Sequence, residues 1–174
     1  MKFGSSLILV FLIAAVFVMG CSSSDSGKAQ SAAQTTTTGT YSPTFAVKDL
    51  DGNVRTYEEF KGKGPIVLNF WGTWCPPCRR EIPDLKKIYT EYKDRGLQLV
   101  GLAVQDTPEK VRQFAENNSV DWVMLMADTK AAESFRIGNG VPVTIFIDRD
   151  GNEISRMIGA RDYATFKAVI EKII

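Results

Sequence analysis

Hydrophobic and polar positions fall in blocks along this chain, and the sharpest block is Ile66 to Trp71, apolar throughout except for Asn69. Gly64-Pro65 precedes it and Gly72-Thr73 follows, so it reads as a buried β-strand between turn signals. From Arg79 to Lys93 the apolar residues return at helical spacing, which predicts an amphipathic helix. Its first turn then holds Cys75 and Cys78, with Cys75 at or near the N-cap and Pro76 where a missing N–H costs nothing. Pro83 inside that helix removes one ladder hydrogen bond and is expected to kink it.

Shorter patterns flank this centre. Thr44 to Lys48 and Val54 to Thr56 enclose Asp51-Gly52-Asn53, a hairpin signal, and Tyr57 to Lys61 fits a single helical turn. Leu97 to Val104 reads as a second buried strand. Pro108 to Asn117 carries Val111, Phe114 and Ala115 at helical spacing with Thr107 as its N-cap. Trp122 to Met126 reads as a short strand and Lys130 to Ile137 as a short helix. Pro142 to Asp148 is a strand that turns at Asp148 to Gly151 and returns antiparallel over Glu153 to Ile158. Asp162 to Ile174 closes the chain as a helix with Tyr163, Phe166, Val169, Ile170 and Ile173 on one stripe. The alternation implies an α/β fold: a mixed central β-sheet with helices on both faces and an N-terminal β-hairpin.

The first forty residues follow other rules. Lys2 is the one charge in residues 1–20, and Leu7 to Val18 is an unbroken apolar run. That run has the length of a signal-peptide core and falls short of the roughly 20 residues of a membrane span. It ends in Val18-Met19-Gly20-Cys21, which resembles a bacterial lipobox with Cys21 as the lipidated residue; an uncleaved anchor is the rival reading. Residues 21–40 are mostly Ser, Thr, Ala, Gln and Gly, the composition of a flexible tether. Residues 41–174 are left as one folded domain, placed outside the cytoplasm and held to the membrane by lipid.

Charge and composition narrow the chemistry. A formal net charge of +1 offers no electrostatic case for nucleic acid. There is no histidine in the chain, which removes His-based catalysis and His metal ligation. Of three cysteines, Cys21 is assigned to lipid, so Cys75 and Cys78 remain as a pair at i and i+3. Such a pair can close a small disulfide, and the helix start favours a thiolate. Cys75, expected to carry the exposed sulfur, is the candidate nucleophile, and Cys78 the resolving thiol. Pro76 and Pro77 withdraw two amide donors, leaving mainly those of Cys78 and Arg79 for the Cys75 sulfur. Only a modest lowering of its pKa is expected, which suits a reductant. A zinc half-site lacks partner ligands, and a haem attachment site needs His where Arg79 stands.

Strand, Trp-Cys-x-x-Cys and helix together resemble the thioredoxin superfamily. The string from Asn69 through Trp74-Cys75-Pro76-Pro77-Cys78 to Glu81-Ile82-Pro83 is similar to its TlpA/ResA-like branch of membrane-tethered, extracytoplasmic thiol–disulfide oxidoreductases. The resemblance implies a thioredoxin-like fold with a central βα insertion between Cys78 and Pro142. It implies a cis bond before Pro142, turning the Val141 backbone toward a substrate beside Cys75. It also implies that Trp74 and Pro76 shape the docking surface and that Glu81 influences cysteine protonation. Read from the residues alone, Glu81 is an acid favourably placed near a helix start. Thioredoxin has a buried acid where Asn69 stands; an amide cannot move that proton, and Asn69 reads as a buried side chain tied to backbone.

The implied activity is protein disulfide reduction through Cys75–Cys78, with no cofactor beyond that redox-active disulfide. The implied partners are protein thiol or disulfide substrates, with apocytochrome c a candidate, and a membrane electron donor relaying from cytoplasmic thioredoxin. Two other readings compete. A peroxiredoxin-like thiol peroxidase wants Thr three residues before its cysteine, whereas Thr73 lies two before Cys75. A non-catalytic metal-delivery lipoprotein of thioredoxin-like fold wants a distant His.

Overall fold

The computed structural model describes residues 42–174. The leader expected over 1–20 and the tether over 21–40, with the lipidation candidate Cys21, lie outside the described residues. The elements are β1 (Ala46–Asp49), β2 (Val54–Thr56), β3 (Ile66–Trp71), α1 (Pro76–Tyr92), β4 (Gln98–Val104), α2 (Pro108–Asn118), β5 (Val123–Ala127), α3 (Thr129–Ser134), β6 (Val143–Ile147), β7 (Glu153–Ile158) and α4 (Tyr163–Ile170). The strands form one sheet in the order β2-β1-β5-β4-β3-β6-β7. β3 runs parallel to β4 and antiparallel to β6, so the expected mixed sheet is present with its most apolar strand inside it. β5 runs parallel to β4 and pairs with β1 of the hairpin, which places the α2–β5 insertion between the core sheet and that hairpin.

Alternate residues of β3 feed two cores, because successive side chains of a strand point to opposite faces. Val67 and Trp71 join Ile82, Leu85 and Ile88 of α1, Val111 of α2, and Phe166 and Ile170 of α4. Ile66, Leu68 and Phe70 join Ala131 of α3, with Phe135 just beyond it, and the 3-10 turn at Tyr57–Glu59. Asn69 belongs to the first face and is the one polar residue of β3.

Two turns of the same sequence type brace the ends of the sheet. Asp49-Leu50-Asp51-Gly52-Asn53 and Asp148-Arg149-Asp150-Gly151-Asn152 each fold their leading carboxylate onto two backbone amides at 2.9–3.0 Å. Gly52 and Gly151 close them at φ of 89° and 88°, where a side chain would be strained.

Element type and order agree with the sequence expectations, while several ends move. α1 begins at Pro76, with Cys75 as its N-cap, and continues through Pro83. α3 stops at Ser134 instead of Ile137, because Arg136 takes the left-handed conformation at φ 50° and turns the chain. α4 spans Tyr163–Ile170, capped by the Asp162 carboxylate on Thr165 N, and the chain ends beyond it in a turn.

Candidate active site

β3 ends at Trp71, and the loop 72–74 delivers the chain to α1. Asp106, just beyond β4, accepts Thr73 N at 2.6 Å and Thr73 Oγ1 at 3.0 Å, pinning that loop. Trp74 leans its indole over Gly72, where a Cβ would meet Nε1 at 2.5 Å, so only glycine fits beneath the ring. Trp74 Nε1 donates to Val104 O at 3.0 Å, yet the side chain stays 52 % exposed.

Cys75 and Cys78 form a disulfide with their Cα atoms 5.3 Å apart. Cys78 N donates to Cys75 Sγ at 3.2 Å. Arg79 N, expected to serve the sulfur as well, instead closes the first helical turn on Cys75 O at 3.1 Å. Contrary to the sequence expectation of an exposed Cys75 sulfur, Cys75 is 2 % and Cys78 0 % exposed in the disulfide. The cause is the loop opposite, where Val141 O lies 3.6 Å from Cys75 Sγ. Exposure passes to the flanking Trp74 and Pro76. The Val141–Pro142 bond is cis, as the resemblance implied. Pro142 leads directly into β6, whose Val143 pairs with Phe70 of β3, so both halves of the site rest on adjacent strands.

Glu81 lies one turn into α1 from Cys78 and is 1 % exposed. Asn69 Nδ2 donates to Glu81 Oε1 at 2.9 Å and to Thr144 Oγ1 at 3.0 Å. Asn69 is therefore tied to side chains, not to backbone as its sequence context suggested. Arg161 N, on the loop after β7, donates to Glu81 Oε2 at 3.3 Å. The Arg161 guanidinium turns to Ala160 O and Ile158 O, and acts on Glu81 only at a distance. Burial therefore dominates and pushes the Glu81 carboxyl up to about 7, against the hydrogen bonds from Asn69 and Arg161 N that pull the other way. A carboxyl in that range exchanges its proton near neutral pH, which is what dithiol chemistry requires of a neighbouring acid.

A groove of about 820 Å³ opens beside the disulfide. Trp74 and Val104, the α3 residues Ala132 and Glu133, and Gly140 with Val141 line it. Gln105 and Arg136 line it in left-handed conformations at φ 50° each.

The structure thus gathers Trp74, Cys75, Pro76, Cys78, Glu81, Val141 and Pro142 around one disulfide. Sequence reasoning missed Asp106, Thr144 and the Arg161 amide. Their partners lie 33, 75 and 80 residues away, and nothing local announces the pairing.

Comparison with known proteins agrees with this geometry. The AhpC/TSA family profile matches residues 38–154. The thiol-disulfide oxidoreductase ResA of a Bacillus cereus strain is 32% identical over 136 residues, covering 78% of each chain. A thiol:disulfide interchange protein of the thioredoxin family from Chlorobium tepidum TLS superposes with a TM-score of 0.68 at 29% identity, over 76% of this chain and 94% of that one. The thioredoxin domain of a thiol-disulfide oxidoreductase from Bacteroides vulgatus gives 0.66 at 26% identity, over 76% and 94%.

Proposed function

The chain belongs to the AhpC/TSA family and, within it, to the ResA-like thiol–disulfide oxidoreductases, and on that premise we propose that it reduces disulfides of exported proteins through Cys75 and Cys78. The observation that carries the reading is the Cys75–Cys78 disulfide at the N-terminus of α1, facing Val141 O across 3.6 Å. Thiol–disulfide exchange follows from the class of enzyme; the direction, the site roles and the location are our assignments.

In the proposed cycle the Cys75 thiolate attacks one sulfur of a client disulfide, and the other client sulfur leaves as a thiol after taking a proton. Cys78 then attacks Cys75 Sγ, breaking the mixed disulfide and releasing the second client thiol. Two electrons pass from the dithiol to the client, and the protein disulfide re-forms. Glu81, one turn from Cys78, takes the Cys78 proton as that thiol becomes the attacking group. Val141 and Pro142 present backbone to the client strand, while Trp74 and Pro76 border the sulfur. A membrane electron donor, relaying from cytoplasmic thioredoxin, restores the dithiol. An apocytochrome c whose cysteines are joined in a disulfide is one candidate client among oxidised exported proteins.

The reductant direction is supported by Cys78 N being, among the described residues, the single amide on the Cys75 sulfur. Fewer donors mean less thiolate stabilisation and a weaker oxidant. Thr73 argues against the peroxidase reading, since its hydroxyl donates to Asp106 at 3.0 Å. The apolar run Leu7 to Val18 followed by Gly20-Cys21 supports export and a lipid anchor at Cys21. The test is the equilibrium potential of the Cys75–Cys78 couple by thiol trapping in defined dithiol buffers. A value at or below about −230 mV is expected. One near about −120 to −180 mV would place the protein with oxidants and isomerases and overturn the reductase assignment.

A further inference from the structure

Arg79 and Arg80 stand in α1 within a turn and a half of its start, where the positive end of the helix dipole disfavours cations. Neither has an ion-pair partner among the described residues, and both are exposed. The acids nearby are committed elsewhere. Asp84, one turn beyond Arg80, pairs with Lys87 at 3.0 Å. Asp106 is held by Thr73 N at 2.6 Å and by Thr107 N at 3.0 Å. Ion pairing thus gives no reason for two arginines here. With Pro76, the residue after Cys75, and with Phe114 and Asn118 they line a shallow concavity that shares no residue with the large groove. Lys86 adds a third cation at its edge, its Nζ donating to Asn118 O at 3.0 Å. The groove's own wall differs in charge, with Asp128 and Glu133 beside Arg136.

We propose that Arg79 and Arg80 form a specificity surface for clients carrying acidic side chains next to the cysteine that Cys75 attacks. The inference rests on the reductase reading and names the substrate class of the same site. The reaction is the exchange already written: the Cys75 thiolate bonds to one client sulfur and the client S–S bond breaks. The arginines neutralise the client's carboxylates as the two chains meet, an effect expressed in association rate and suppressed by salt.

The experiment uses the full chain, reduced, with three disulfide-linked peptides of equal length whose cysteines are flanked by Glu, by Gln or by Lys. In low salt the Glu peptide is expected to react about fivefold faster than the Lys peptide, from two exposed charge contacts. The ratio is expected to approach one at about 0.5 M salt, where the Debye length falls to a few ångströms. Arg79→Gln/Arg80→Gln is expected to abolish the preference in low salt, and Lys63→Gln, an exposed cation preceding the far end of β3, to retain it. A changed thiol pKa would move all three peptides together, so the ratio isolates recognition. Equal rates for the three peptides, or a ratio that survives the double substitution, overturns this proposal alone. No reaction with any of them overturns the reductase reading and this proposal with it.

Discussion

Glu81 and Glu91 sit ten residues apart on the same helix, and the fold treats them in opposite ways. Glu81 faces the sheet near the disulfide, buried, with amide donors from Asn69 and Arg161 and no ion pair among the described residues. Glu91 faces solvent and α4, where Lys167 Nζ donates to Oε1 at 2.7 Å and Tyr163 OH donates to Oε2. Burial pushes the Glu81 carboxyl up to about 7, whereas Lys167, then Tyr163, hold that of Glu91 below its ordinary value. Neutral hydrogen-bond donors satisfy a carboxylate's lone pairs without repaying the loss of water around its charge. Glu91 fastens α1 to α4; Glu81 is left able to take and give a proton at the pH where thiols react.

The largest expected consequence is in stability against pH. Glu81 has a folded pKa of about 7 against an unfolded value near 4.5, so the native state binds the extra proton between them. Stability from this group is full below pH 4.5, falls as pH rises through about 7, and totals about 3 kcal/mol. Denaturant titrations across that window should show the decline, and Glu81→Gln should flatten it. Glu91 works with the opposite sign: its contribution is present above its unfolded pKa and is lost as pH falls.

A smaller effect concerns rate. If Glu81 carries the Cys78 proton, Glu81→Gln should slow disulfide exchange at pH 7 by roughly tenfold to a hundredfold. The wild-type rate should climb through pH 7, and Glu91→Gln should leave it within about twofold. Stopped-flow reduction of a peptide disulfide checks all three, and equal losses from both variants would erase the distinction. The smallest effect belongs to the exposed pair: Lys167→Met should barely move the denaturation midpoint, because solvent screens such contacts, while the Glu91 titration moves upward.

The contrast also marks what the sequence could announce. Ile66 to Trp71 and the Cys75–Cys78 spacing were legible because each depends on near neighbours along the chain. The resemblance carried by those residues supplied the cis bond and a role for Glu81. Its environment was not legible: Asn69 looks from the chain like a side chain seeking backbone, and its bond to Thr144 spans 75 residues. The resemblance brings Val141 beside Cys75 as a contact for substrate, but not the closeness of Val141 O, 3.6 Å from the sulfur, that accompanies its burial. The short end of α3 turned on Arg136, a residue with no sequence mark of a left-handed conformation.

The most direct test follows the carboxyl carbons of Glu81 and Glu91 through one carbon-13 pH titration of the oxidised protein, each assigned by its Gln variant. Glu81 should titrate with a midpoint near 7 and Glu91 with a midpoint below 4.5 in the same sample. A Glu81 midpoint at or below 4.5 would mean that Asn69 and Arg161 N outweigh burial, and Glu81 could not be the site's proton acceptor at neutral pH.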